Sequence, residues 1–336
     1  MIRPRAFEGS GVYFSLAMSV KDFTQDLESF LAAFEERLRK VVKSEVEFIG
    51  LIEEDLVTAG GKRVRPRLVF LASAALGEVP HALELALAVE LIHSASLLHD
   101  DLIDDAETRR GREAAFRKYG NAVSVLSGDY LLSRQMALLA QIGNLELVAL
   151  CAEAARMLSE GEVLQFQVAA LGEYSLANYE RIIHGKTAAL MQLACEGAAV
   201  LAEAPLAHRE ALARFGALYG QAFQMRDDYL DLMGSSEVLG KPAGGDVREG
   251  KVTRITLRLL EAYPEEVGAI FRRRGREEGD VRRLQELAQQ SKAAEEVIQA
   301  IAERVEQAIG ALRELPRSAA RDQLEALAKR ELVRLS

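Results

Sequence analysis

The sequence predicts an all-α fold: a single domain over residues 21–336, built of roughly ten to thirteen helices, behind an N-terminal extension of residues 1–20. Three observations point there. Ala, Leu, Glu and Arg dominate, there is no tryptophan and aromatics are only 6%, a palette that favours helix. Apolar residues recur at three- and four-residue spacing in nearly every stretch. No segment alternates with the period of a strand, and neither an internal repeat nor an interdomain linker interrupts the chain.

Charge and cysteine usage narrow the function. A net charge of -9 and a pI near 5.3 argue against nucleic acid as the partner, because phosphate backbones attract basic surfaces. Cys151 and Cys195 are too few and too far apart for a disulfide framework or a zinc site, which suits a reducing cytoplasm. No apolar run reaches the roughly 18 residues that a membrane-spanning helix needs. The N-terminus joins basic residues to a weak apolar patch without the long apolar region of a signal peptide, and Met18 is read as the functional start.

The elements follow in order. From residue 21 to 58, Phe23, Leu27, Phe30, Phe34, Leu38, Val46, Ile49 and Leu56 trace one helical stripe, and Gly60-Gly61 ends it. Lys62, Arg63, Arg65 and Arg67 then surround Pro66, which fits the first turn of a new helix. Cations beside a helix start make either an anion site or a solvated basic turn. Residues 80–105 are apolar on most faces, the mark of a buried helix. His93 lies on it and reads, alone, as a satisfied core residue.

That helix ends in five carboxylates within residues 100–107, and Arg109-Arg110 follow. Asp100, Asp101 and Asp104 form DDxxD, with Asp100 and Asp104 on one face, one turn apart. Carboxylates at a helix C-terminus oppose the macrodipole and repel one another unless a cation sits among them. Hard oxygen ligands with room for water and phosphate suit Mg²⁺.

Helices are expected over 121–142, 145–171 and 178–202, the last carrying His184-Gly185-Lys186-Thr187. Although GKT invites a phosphate-loop reading, Glu180 stands where that loop requires glycine and no strand precedes it. A helix over 208–233 contains a second DDxxD at Asp227, Asp228 and Asp231, and a glycine-rich loop with Lys241, Arg248 and Lys251 follows. Its composition suits a lid over an anion or an ordinary surface loop. Residues 268–280 read as a solvated connection, and 297–312 and 320–335 as closing helices. Two such motifs arise together by chance well below ~1% of the time. Aspartates, metal ions and Lys62, Arg65, Arg109, Arg110, Lys186, Lys241 and Lys251 together describe a diphosphate site.

On these residues the chain resembles the trans-isoprenyl diphosphate synthases, and among them the long-chain polyprenyl (octaprenyl-type) enzymes. GGKRVRP, LIHSASLLHDDLIDDAETRRG, GDYLL, EGEVLQ, GKTAAL, FQMRDDYLD and GKPAGGDVREGK occur in the family's order. The resemblance implies the isoprenoid synthase fold, helices around a central cavity with the acid motifs facing each other, and a homodimer. It implies Mg²⁺, three ions per active site, with Mn²⁺ as a substitute. Asp100, Asp104, Asp227 and Asp231 match metal ligands, with Asp101 and Asp228 beside them in the catalytic set. Arg109, Lys186, Thr187, Gln224 and Lys241 match contacts to the allylic diphosphate. Lys62, Arg65, His93 and Arg110 match contacts to isopentenyl diphosphate, which turns His93 from core residue to ligand; Lys251 belongs to the same basic set. One stretch departs: VTRIT follows Lys251 where many relatives carry proline.

Such an enzyme joins isopentenyl diphosphate to an allylic diphosphate. Product length then depends on the residues before the first motif: Ala95 and Ser96 are small and Ile92 lies one turn further back. A growing tail can pass at about 5.4 Å per turn, which predicts a long product, about C40, over a floor of Met136, Leu139 or Phe166. The alternatives are a short-chain farnesyl or geranylgeranyl diphosphate synthase and a non-catalytic regulatory subunit. A transmembrane segment is not expected, and peripheral membrane contact would serve product release.

Overall fold

Helices form where the apolar spacing placed them, and the departures come where polar side chains or glycines cut the spacing short. The computed structural model of the chain describes residues 20–58, 61–77, 79–104, 108–109, 112–234 and 242–333. Residues 1–19 and the bases Arg110 and Lys241 lie outside them. The chain divides into two compact units, one drawn from Met1–Cys151, Ala194–Leu212 and Glu314–Gln323, the other from Ala152–Leu193, Ala213–Arg313 and Leu324–Ser336.

The first unit contains α1 (Val20–Val42), α2 (Glu47–Thr58), α3 (Val64–Leu76), α4 (Ala82–Ile103), α5 (Ala115–Tyr119), α6 (Asn121–Ile142) and the start of α7 (Leu145–Leu171). The single helix expected over 21–58 is two. Between them Ser44 Oγ accepts a hydrogen bond from the Val46 amide at 3.1 Å, a local bond that competes with helix. Val46, read as part of the stripe, stands 58% exposed, and Phe48 beside it 55%.

Helix α4 packs against α1, α3 and α6, and Leu85, Leu87, Val89 and Leu91 are fully buried. By length and composition α4 is the one helix among the described residues that could cross a membrane, contrary to the expectation of none. Its apolar window is already 67% buried inside the protein, so the core accounts for its composition. Arg63 ties α1, α3 and α4 together from a left-handed backbone position, φ 46°. Its guanidinium reaches Glu35 at 2.6 Å and Glu90 at 2.7 Å and lies over the Phe34 ring. Removing one partner of such a buried set costs about 3–5 kcal/mol.

Among the described residues one strand pair exists, Thr108–Arg109 against Arg112–Glu113. The sequence reading had none, because two residues per strand are too short to show a period.

The second unit takes the rest of α7, then α8 (Leu176–Ile183), a π-turn (His184–Ala188) and the start of α9 (Ala189–Leu201). It continues with most of α10 (Leu206–Met233), α11 (Gly245–Glu249), α12 (Arg254–Ala262), α13 (Pro264–Arg272), α14 (Asp280–Gln290), α15 (Ala293–Ala311) and the end of α16 (Ala319–Val333). Here α12 packs on α8, α13, α14 and α15, and Phe215, Leu284, Ile301 and Leu324 are fully buried. The connection expected over 268–280 is shorter, because α13 continues to Arg272 and Arg273 Nε then binds Asp280 at 2.9 Å.

Candidate active site

In the first unit the acid motif ends α4. The Asp104 amide donates to the Asp100 carbonyl at 2.8 Å, so the last turn closes on the motif itself. Asp100 and Asp104 are half-buried on one face, whereas Asp101 is 2% exposed and points into the body. Alignment of α4 with α6 fixes this end: Ser124 Oγ donates to the Leu98 carbonyl at 3.1 Å, and His99 Nε2 lies 3.2 Å from the Val125 carbonyl. His93 is half-buried on α4, and Arg65 half-buried in the first turn of α3, with Lys62 exposed before it. Arg109 lies in the strand pair.

The residues before this motif separate by face. Ser96 shares the i, i+4 row of Asp100 and is half-buried, its hydroxyl turned back onto the His93 carbonyl at 2.9 Å. Ile92 is buried on the same row, and Ala95, one position away, is 1% exposed. Of the floor candidates only Leu139 is buried. Met136 and Phe166 stand 67% and 45% exposed, which corrects their reading as the floor of an internal path.

In the second unit the site is built by close backbone contact. A Cβ on Gly185 would come within 2.4 Å of the Met157 carbonyl oxygen, so α7 and the π-turn meet only because residue 185 is glycine. A Cβ on Gly220 would lie 2.5 Å from Ala188 Cα. Gly220, Gln224 and Asp228 form one i, i+4 row, so the face of α10 that touches the π-turn continues into the acid motif. π-Turns are frequent at functional sites, and this one delivers Thr187 and Lys186.

The resulting network is continuous. Thr187 Oγ1 donates to Gln224 Oε1 at 2.5 Å, Gln224 Nε2 donates to Asp228 Oδ1 at 2.7 Å, and Tyr179 donates to Asp228 Oδ2 at 2.7 Å. Lys186 Nζ pairs with Glu162 at 2.7 Å and donates to Gln165 at 3.0 Å. Asp231 accepts from the Asp246 amide at 2.9 Å, which joins the glycine-rich loop to α10. Lys251 pairs with Glu249 at 2.6 Å. Lys186, Gln224, Asp228, Asp246 and Lys251 line one cavity of about 130 Å³ with Tyr179.

Charge on this cavity is out of balance. Burial pushes the Asp228 carboxyl up to about 6, against hydrogen bonds from Gln224 and Tyr179 and with the charges of Asp227 and Asp231 adding to the rise. Asp246 is held well above the carboxylate range by burial and then by Asp228 and Asp231, with Lys251 pulling the other way. Burial, reinforced by Asp228, likewise raises Tyr179. Asp227 differs: its side chain is 45% exposed and pairs with Arg226.

Among the described residues no three His, Cys, Asp or Glu side chains form a ready metal cage. Aspartates raised by burial and then by one another's charge nevertheless fit a hard divalent cation that takes its other ligands from water and diphosphate oxygens, as Mg²⁺ does. Sequence reasoning missed Tyr179 and Asp246. Asp246 was readable as the carboxylate in a loop of cations, whereas nothing local marks Tyr179.

The family model for polyprenyl synthetase matches residues 47–289. The octaprenyl diphosphate synthase of Haemophilus influenzae is 34% identical over 93% of this chain and 96% of its own. An all-trans-nonaprenyl-diphosphate synthase (geranyl-diphosphate specific) of Rhodobacter capsulatus is 36% identical, covering 94% of this chain and 99% of that protein. The crystal structure of a polyprenyl synthase from Caulobacter crescentus CB15, complexed with calcium and isoprenyl diphosphate, superposes with a TM-score of 0.87 at 37% identity, covering 99% and 100% of the two chains.

Proposed function

The chain belongs to the polyprenyl synthetase family, and we propose that it condenses isopentenyl diphosphate with an allylic diphosphate primer into a long all-trans polyprenyl diphosphate of about octaprenyl length. One observation carries the reading. Lys186, Gln224, Asp228 and Lys251, singled out from three separate stretches of sequence, line a single cavity. The Caulobacter relative, complexed with calcium and isoprenyl diphosphate, supports a metal and a prenyl diphosphate as ligands. The octaprenyl and nonaprenyl relatives support a long product.

Asp100 and Asp104 on α4 and Asp227 and Asp231 on α10 would hold Mg²⁺. Bound there, the ions neutralise charge developing on the leaving diphosphate. Lys186, Thr187 and Gln224 bind the allylic diphosphate with Arg109 and Lys241, and their fixed dipoles act where charge develops. Asp228, pinned by Tyr179 and Gln224, holds Gln224 in register with Thr187. Lys62, Arg65, His93 and Arg110 hold isopentenyl diphosphate, whose double bond attacks the allylic cation. A proton then leaves to the released diphosphate, so no nucleophilic side chain is needed. The protein works as a homodimer.

Purified protein with Mg²⁺, radiolabelled isopentenyl diphosphate and farnesyl diphosphate tests the reading, with products sized by chromatography. Long-chain label is expected. Asp100→Asn and Asp227→Asn should each lower the rate by roughly a hundredfold or more. Products ending at farnesyl or geranylgeranyl length would overturn the long-chain assignment, and no incorporation by the chain alone would favour a regulatory subunit.

A further inference from the structure

Among the described residues Arg226 is the largest fully buried side chain, 1% exposed, in the middle of FQMRDD. A buried guanidinium is costly unless paired, and this one has two carboxylates. Its Nε lies 3.1 Å from Asp227 Oδ1, and its terminal nitrogens contact Asp227 and Glu331 of α16. Phe223 lies against it, 4.5 Å from ring centroid to guanidinium carbon. Glu331 is itself 3% exposed and accepts a hydrogen bond from Tyr219 at 3.2 Å.

The charges decide what this arrangement does. Arg226 and Glu331 are both shut away from water and cancel each other, whereas Asp227 stays 45% open. With Glu331 ionised, the guanidinium contacts Asp227 without consuming its charge. With Glu331 neutral, the whole of the buried positive charge falls on Asp227. We propose that Glu331 on α16, by neutralising the buried Arg226, leaves Asp227 free to hold a divalent cation. The inference rests on Asp227 as a metal ligand in the function proposed above. It adds to that reading a coupling between α16 and the second acid motif.

The test measures Mn²⁺ binding by electron paramagnetic resonance on the full-length protein, beside the Mg²⁺ concentration giving half-maximal rate. An uncompensated like charge near a site shifts its equilibrium by about one to three powers of ten. Glu331→Gln should therefore weaken Mn²⁺ binding at least about tenfold and raise the Mg²⁺ requirement by a similar factor. Glu331→Asp, which keeps the charge, should follow the wild type. The double variant Arg226→Met with Glu331→Leu removes both buried charges at similar volume, a replacement that folds tolerate. It should bind Mn²⁺ within about threefold of the wild type, and it carries the test if Glu331→Gln fails to fold. Unchanged Mn²⁺ binding in Glu331→Gln, or a double variant as weak as that single one, overturns the inference. A wild type that binds Mn²⁺ through Asp227 yet makes no prenyl product overturns the proposed reaction instead.

Discussion

Asp228 is held by Tyr179 and Gln224 at 2.7 Å each and pushed up to about 6 by burial, while its neighbour Asp227 stands open and paired with Arg226. A carboxyl raised in the fold from 3.8 to about 6 binds more protons folded than unfolded. The stability it contributes is thus present below pH 3.8 and lost as pH rises through 6, up to about 3 kcal/mol in all. In metal-free buffer the wild type should lose melting temperature relative to Asp228→Asn between those two pH values. Parallel melting curves would remove burial as the cause. Ser96 gives a second residue-scale test, because it is half-buried on the Asp100 row while Ala95 is sealed. Ser96→Phe should shorten the product distribution, read by chromatography of extracted prenols. Ala95→Phe should instead destabilise the fold, by about 1–3 kcal/mol for overpacking. Both small residues were legible in the sequence; which one faces open space was not, since period alone does not say which row meets a neighbour.

At the scale of elements, long helices were legible and their interruptions were not. Helix α6 and α7 match the ranges read from periodicity, because apolar spacing over more than twenty residues has one helical solution. The π-turn inside the expected 178–202 helix left no periodic trace. It arises from contact, with Gly185 against Met157 and Gly220 against Ala188. The two acid motifs were readable as composition, yet the split between buried Asp101 or Asp228 and open Asp227 depends on helix rotation against neighbours. Gly220→Ala isolates the contact. Its Cβ would sit 2.5 Å from Ala188 Cα, so a loss of about 1–3 kcal/mol is expected in denaturant melts, with a raised KM for the allylic substrate as Thr187 and Gln224 move apart. Gly310→Ala on α15 is the control: nothing lies within 4 Å of its Cβ, and helix propensity alone should add about 0.5–1 kcal/mol of stability. A neutral Gly220→Ala would show that the helix separation is set elsewhere.

For the whole molecule, the apolar residues left outside are the informative ones. Scattered exposed apolar side chains are ordinary, but a file of them along one helix face marks an interface. On α6, Leu126 and Met136 are 63% and 67% exposed, with exposed Ala137 and Ala140 on the same face. On α7, Leu145 is 85% exposed in the first unit, and Val163 and Phe166 are 65% and 45% exposed in the second. Two of them, Met136 and Phe166, are side chains that the sequence reading sent inward as a tunnel floor, because apolarity alone does not distinguish an internal wall from a surface that a second copy covers. The homodimer proposed above would cover them. Light scattering at micromolar concentration should return twice the 36.9 kDa of one chain. Met136→Glu and Val163→Glu place charges where a partner would desolvate them, and each should shift the mass toward one chain while leaving the helical circular dichroism intact. A wild type already running at the mass of one chain would leave the exposed faces to some other surface, and both substitutions would then change nothing in the measured mass.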